Sequence, residues 1–250
     1  MNKEINVFAG RNIKELVRSP ISWAFGLALP IGLFAIMQII IKSIGAEAAA
    51  NVPIFDVSRF TGGVCIFSAS FLSLFAAMLI SGDFAGSFLN RLLSSPMKAS
   101  SYIIGYVLSL LPIAAAQVVI TFVAALCFGL TPTVGLLAAI AFAFLFSMLF
   151  ISIGVIFGSV ISAKGAPPIC SGVVQVAALL SGMWFDLDMI GGGFAIFCRV
   201  LPFAHCYDII RYTLSGEWGS VWLPVIVAAA YTVVLTVVAV LLFKRRTRKV

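Results

Sequence analysis

Two stretches of the chain gather side chains that could do chemistry. The first is 180–218, LSGMWFDLDMIGGGFAIFCRVLPFAHCYDIIRYTLSGEW, where Asp186, Asp188, Arg199, His205, Asp208 and Arg211 stand among apolar residues. Carboxylates and guanidinium groups near membrane depth are costly, so they pair or serve a substrate path or gate. They can equally sit in the headgroup zone. Asp208 and Arg211 stand three apart, the spacing of an intrahelical pair. The second stretch is 81–102, SGDFAGSFLNRLLSSPMKASSY. As a helix over 81–95 it has Phe84, Phe88, Leu89, Leu92 and Leu93 on one face, and Asp83, Ser87, Asn90, Arg91 and Ser94 on the other. Such a helix can lie at a membrane interface or dock on a soluble partner. A solvated loop with helical content is the plainer reading. Pro96 stops the helix, and Ser100 or Ser101 can cap the next one.

Neither stretch carries an enzyme's signature. His205 is the single histidine, with no Cys or Glu at ligand spacing, so no metal site is assigned. There is no GxSxG, no HExxH and no Gly-rich phosphate loop, and no catalytic residue is assigned. Cys65, Cys127 and Cys170 lie in apolar runs and are expected to pack as small hydrophobes. Cys198 and Cys206 are near enough in sequence to form a disulfide, though nothing favours one.

The elements that must position these residues follow from composition. Of 250 residues 62% are hydrophobic and 10% charged, and the mean hydropathy is +1.16. Soluble domains carry about 25% charged residues. This is an all-α integral membrane protein. Its net charge of +7 does not point to nucleic acid, because the basic residues fall on loops and ends. Asn2–Ser19 reads as an amphipathic helix on the membrane surface, and Ser19-Pro20 as the cap and first residue of the next helix. Six spans are expected near 21–41, 60–80, 102–128, 135–162, 168–186 and 221–243. Met189–Val200 and Ala204–Leu214, separated by Pro202, read as short re-entrant or interfacial helices. Gly154 and Gly158 form a GxxxG suited to close packing within the bundle. With both termini inside, twelve basic residues face the cytoplasm and four, Lys42, Arg59, Arg199 and Arg211, face out.

The order of these elements resembles the permease subunit of ABC-2-type ABC exporters. The resemblance rests on Gly86–Pro96, GSFLNRLLSSP, with Met97 and Lys98, similar to the "G…L.R.L..P" segment of drug- and antibiotic-export members. Leu180–Leu187, LSGMWFDL, is similar to the "SG..FPL" signature, with Asp186 in place of proline. Leu201–His205 with Asp208 and Arg211 resembles "NP….D..R", with Leu201 in place of Asn. The resemblance implies a single permease domain over 1–250: an interfacial helix at 1–19, a cytoplasmic coupling region at 81–101 and an extracytoplasmic re-entrant region at 187–218. It implies that Asp83, Phe84, Phe88 and Arg91 couple to an ATPase. Asp186, Arg199, Asp208 and Arg211 would belong to the outer gate.

The same resemblance implies partners. Two copies of an ABC ATP-binding subunit would carry ATP and Mg, and a second permease copy would complete a homodimer or a homologous heterodimer. The chain itself would bind no cofactor and no nucleic acid. The setting would be a bacterial or archaeal inner membrane and the cargo an amphipathic drug or lipid. Two other classes compete. An ion-gradient-driven secondary transporter would show charged residues in mid-span and inverted repeats. An integral membrane lipid-modifying enzyme would show clustered acidic metal ligands on a cytoplasmic face, where only Asp83 and Glu15 are near.

Overall fold

The computed structural model describes residues 2–86, 99–185 and 187–247. Phe88, Arg91 and Asp186 lie outside the described residues, as do Pro96, Lys98 and the side chain of Asp188. The described residues form helices and turns, with no strand among them.

α1 (Asn2–Arg18) buries Ile5, Phe8, Ala9 and Leu16 and exposes Lys14, Glu15 and Arg18. Ser19 and Pro20 then open α2 (Pro20–Ile44), although the Ser19 side chain makes no capping bond. Within α2 the segment Ala24–Ala28 widens into a π-turn. Pro30 has no N–H to give the carbonyl four residues back, and just ahead of it Leu29 N donates to Ala24 O, five residues back. The remaining helices of more than five residues are α3 (Val57–Ala85), α4 (Ala99–Cys127), α5 (Gly135–Val160), α6 (Ala166–Leu180), α7 (Gly192–Val200), α8 (Pro202–Ser215) and α9 (Trp218–Thr247).

Five of these, α2, α3, α4, α5 and α9, are long and apolar enough to cross a membrane. α6 has 15 residues and is roughly 22 Å long. The element expected over 168–186 is α6, which ends earlier than expected: Gly182, at φ +83°, turns the chain away although Met183, Trp184 and Phe185 continue the apolar run. α7 and α8 form the bent pair, meeting at 87° where Pro202 opens α8. The separate helix expected to begin at Ser81 is corrected as well. α3 runs unbroken to Ala85, and Gly86 follows in an extended conformation.

α3 is the central helix, buried along most of its length, while α2 and α9 keep most of their surface exposed. Ile36 and Ile39 on α2, and Val233, Val237 and Leu241 on α9, form apolar faces open to lipid. Small residues let α5 approach α3. A Cβ at Gly154 would strike the Ser73 carbonyl, and one at Gly158 would lie 2.9 Å from Ile80 and 3.0 Å from Ala77. The GxxxG expected to pack inside the bundle does so. Cys65 and Cys170 are buried as expected, whereas Cys127 is exposed; Cys198 and Cys206 are both free and buried.

Candidate coupling junction and outer charge cluster

At the end of the bundle that carries both chain termini, three helices are tied to one carboxylate and one guanidinium. Asp83, in the last turn of α3, is only 4% exposed. Arg11 of α1 reaches it: Nη1 donates at 2.8 Å to both Oδ1 and Oδ2. The Tyr106 hydroxyl of α4 donates to Oδ2 at 2.8 Å. A buried carboxylate is tolerated only when its charge and lone pairs are matched, and here both are. Arg11 is held in turn by Glu15 at 2.9 Å and by Asn12 Oδ1 at 2.9 Å. Phe8 packs edge-on against Tyr102 and Tyr106, with ring centres 5.6 and 5.0 Å away. Gly105 leaves room for this, since a Cβ there would lie 2.5 Å from the Phe8 ring.

Arg246 closes the other side of the junction. Its guanidinium lies 4.3 Å from the centre of the Phe84 ring, a cation–π contact. Its Nη1 donates to the carbonyls of Ser159 at 2.8 Å and Ile161 at 3.3 Å. The end of a helix leaves carbonyls without partners and carries partial negative charge, so Arg246 ties the end of α9 to the end of α5. Phe243 fills the remaining space against Phe84 and Tyr106. The ends of α1, α3, α4, α5 and α9 are thus joined by direct contacts. The segment 87–98 leaves from and returns to these joined ends.

The opposite end holds the second cluster. Arg199, Asp208 and Arg211 line one cavity of about 30 Å³, together with Arg59 at the start of α3, Ser181 and Tyr207. The bend between α7 and α8 lies deep. Phe203 stacks on Phe150, 15 residues into α5, with ring centres 5.9 Å apart. The Tyr231 hydroxyl, 13 residues into α9, donates to the Val200 carbonyl at 2.7 Å. Either offset is roughly 20 Å of helix. Backbone polar groups at that depth must be satisfied inside the protein, and Tyr231 and His205 do this, the latter with Nε2 at 2.8 Å from the Arg199 carbonyl. The two short helices thus meet in a bend well inside the bundle.

The family model of the ABC-2 type transporters matches residues 3–215, which takes in the Arg11–Asp83–Tyr106 contact, the bent pair and the outer cluster but not α9. The chain belongs to the ABC-2 type transporter family. ABC transporter G family member 20 of Dictyostelium discoideum is 26% identical to it over 197 residues, covering 75% of this chain and 26% of that protein. The chain therefore spans about a quarter of that relative's length.

In this ABC-2 transporter domain the residues singled out from sequence divide clearly. Asp83 and Phe84 face into the domain's own junction, Asp83 buried and Phe84 half-buried under Arg246. Arg199, Asp208 and Arg211 share one cavity, as their common stretch suggested. Sequence reasoning passed over Tyr106, Arg246 and Arg59 as site residues. Tyr106 sits in an apolar run and gave no signal. Arg246 was one basic residue of a tail, and Arg59 stands 140 positions from Arg199.

Proposed function

We propose that this chain, with a second permease copy, forms the translocation path of an ATP-driven exporter for amphipathic or lipid-like molecules. ATP and Mg are handled by a separate ATP-binding subunit, two copies per transporter, and the junction faces the cytoplasm. One observation carries this reading: the 87–98 segment is flanked by Asp83 and Tyr106, and the Asp83 carboxylate accepts from both Tyr106 and Arg11. Force applied to that segment passes at once into α1, α3 and α4, and through Phe84 and Arg246 into α5 and α9. Within this reading Phe88 and Arg91 contact the ATPase. Asp83 and Phe84 hold the segment to the bundle. Asp186, Arg199, Asp208 and Arg211 form the outer gate, which opens when the ATPase pair closes.

The test is reconstitution in liposomes with an ABC ATP-binding subunit from the same genome, using a fluorescent amphiphile as cargo. ATP-dependent movement, lost on Arg91→Glu while both subunits remain in the membrane, is the expected result. Movement driven by a proton or sodium gradient without the ATP-binding subunit would overturn the reading in favour of a secondary transporter.

A further inference from the structure

Most hydroxyls inside the bundle are satisfied by their own helix. Ser70, Ser73, Ser109, Ser147 and Ser159 each donate to a carbonyl three or four residues back, at 2.6 to 2.8 Å. Ser68 of α3 and Thr121 of α4 do not. The Ser68 hydroxyl, the Thr121 hydroxyl and both polar atoms of the Gln117 amide make no hydrogen bond to protein. These side chains are 2%, 1% and 2% exposed. All three line one small cavity of about 10 Å³ between buried side chains, which Cys65 and Ser147 also border.

The cavity lies at mid-depth. Ser68, Gln117 and Ser147 each stand at least ten residues from either end of their helices, roughly 15 Å. Gln117 also abuts the π-turn of α2, where a Cβ at Gly26 would lie 3.3 Å from its Nε2. An amide left without partners in such surroundings is strongly unfavourable. Gln117 and Thr121 are one turn apart on α4 and turn the same face to Ser68.

We propose that this cavity binds one ordered water, which joins α3, α4 and α5 at the middle of the membrane. The volume is that of about one water, and such sites need two to four polar partners. Here the Gln117 amide offers one donor group and one acceptor, Ser68 and Thr121 each offer both, and Ser147 keeps a free acceptor lone pair beyond its bond to Ala143 O. A cation fits poorly. No carboxylate borders the cavity, and an uncompensated charge at this depth is expensive. The site is independent of the transport reading.

The purified full-length protein provides the test, by thermal unfolding in detergent and by a high-resolution map. Thr121→Val keeps shape and removes one partner of the water; it is expected to lower Tm by several degrees, as is Gln117→Met. The triple variant Ser68→Ala/Gln117→Met/Thr121→Val, which leaves nothing for a water to bond, is expected to regain part of that loss. The map should hold a peak within hydrogen-bond distance of at least two of the three side chains. Single variants that raise Tm or leave it unchanged would overturn the proposal, because removing an unsatisfied hydroxyl from a dry cavity is favourable. A site without density in a map that resolves other buried waters, or a wild-type Tm that depends on sodium against potassium, would overturn it as well.

Discussion

Arg11 Nη1 stands 2.8 Å from each carboxylate oxygen of Asp83, 72 positions further along the chain. This contact converts α1 from a helix lying on the bundle into part of it. Removing one partner of a buried pair strands the other charge. Arg11→Leu is expected to destabilise the protein by about 3 kcal/mol, and Arg11→Leu/Asp83→Leu to be less damaging than the sum of the two single variants. A double-mutant cycle on thermal or denaturant unfolding measures this. Strict additivity would mean that the two side chains do not act as a pair.

Tyr106→Phe removes only the hydroxyl that donates to Asp83. Hydrogen bonds to charged groups contribute about 1.5–3 kcal/mol, so a loss of about 2 kcal/mol is expected, with the Phe8 ring contact kept. The same unfolding assay checks it, and a neutral result would show that Arg11 alone satisfies the carboxylate.

Gly154 allows α5 to touch the α3 backbone at Ser73. Gly154→Ala forces the helices apart and is expected to cost about 1–3 kcal/mol. Gly32→Ala, where nothing lies within 4 Å, is expected to be silent. Comparing their midpoints of unfolding separates helix–helix contact from a general intolerance of alanine.

Asp208 is 9% exposed and lines a cavity with Arg59, Arg199 and Arg211. Asp208→Ala is expected to cut transport at least tenfold while the protein still reaches the membrane. The effect should couple to Arg211→Ala by more than about 0.5 kcal/mol in a double-mutant cycle. Wild-type transport by Asp208→Ala would remove the gate role.

From the twelve-to-four division of basic residues the termini and Arg91 are expected in the cytoplasm. Single cysteines at positions 47 and 91, on a background without the native five, can be probed with an impermeant thiol reagent in intact cells. Label at 47 and none at 91 is expected, and the reverse would invert the topology.

The sequence by itself determined the membrane class, the amphipathic α1, the break at Pro202 and the family. Each is written locally: in runs of apolar residues, in a helical period, or in a proline that cannot donate. The tertiary structure decided which polar residues matter. By period alone Asp83 belongs to the polar face of a helix beginning at Ser81. In the bundle α3 continues through that point, and Arg11 and Tyr106 supply the charge and the hydrogen bond that let the carboxylate be buried. Likewise Gln117 reads as one polar residue in an apolar span, and only packing sets it against Ser68 and Gly26. Periodicity records which face of a helix is apolar; it holds no information on which distant group will arrive to compensate a buried charge or amide. That choice is made by contacts across 72 residues in one case and 49 in the other, and it exists only once the helices are packed.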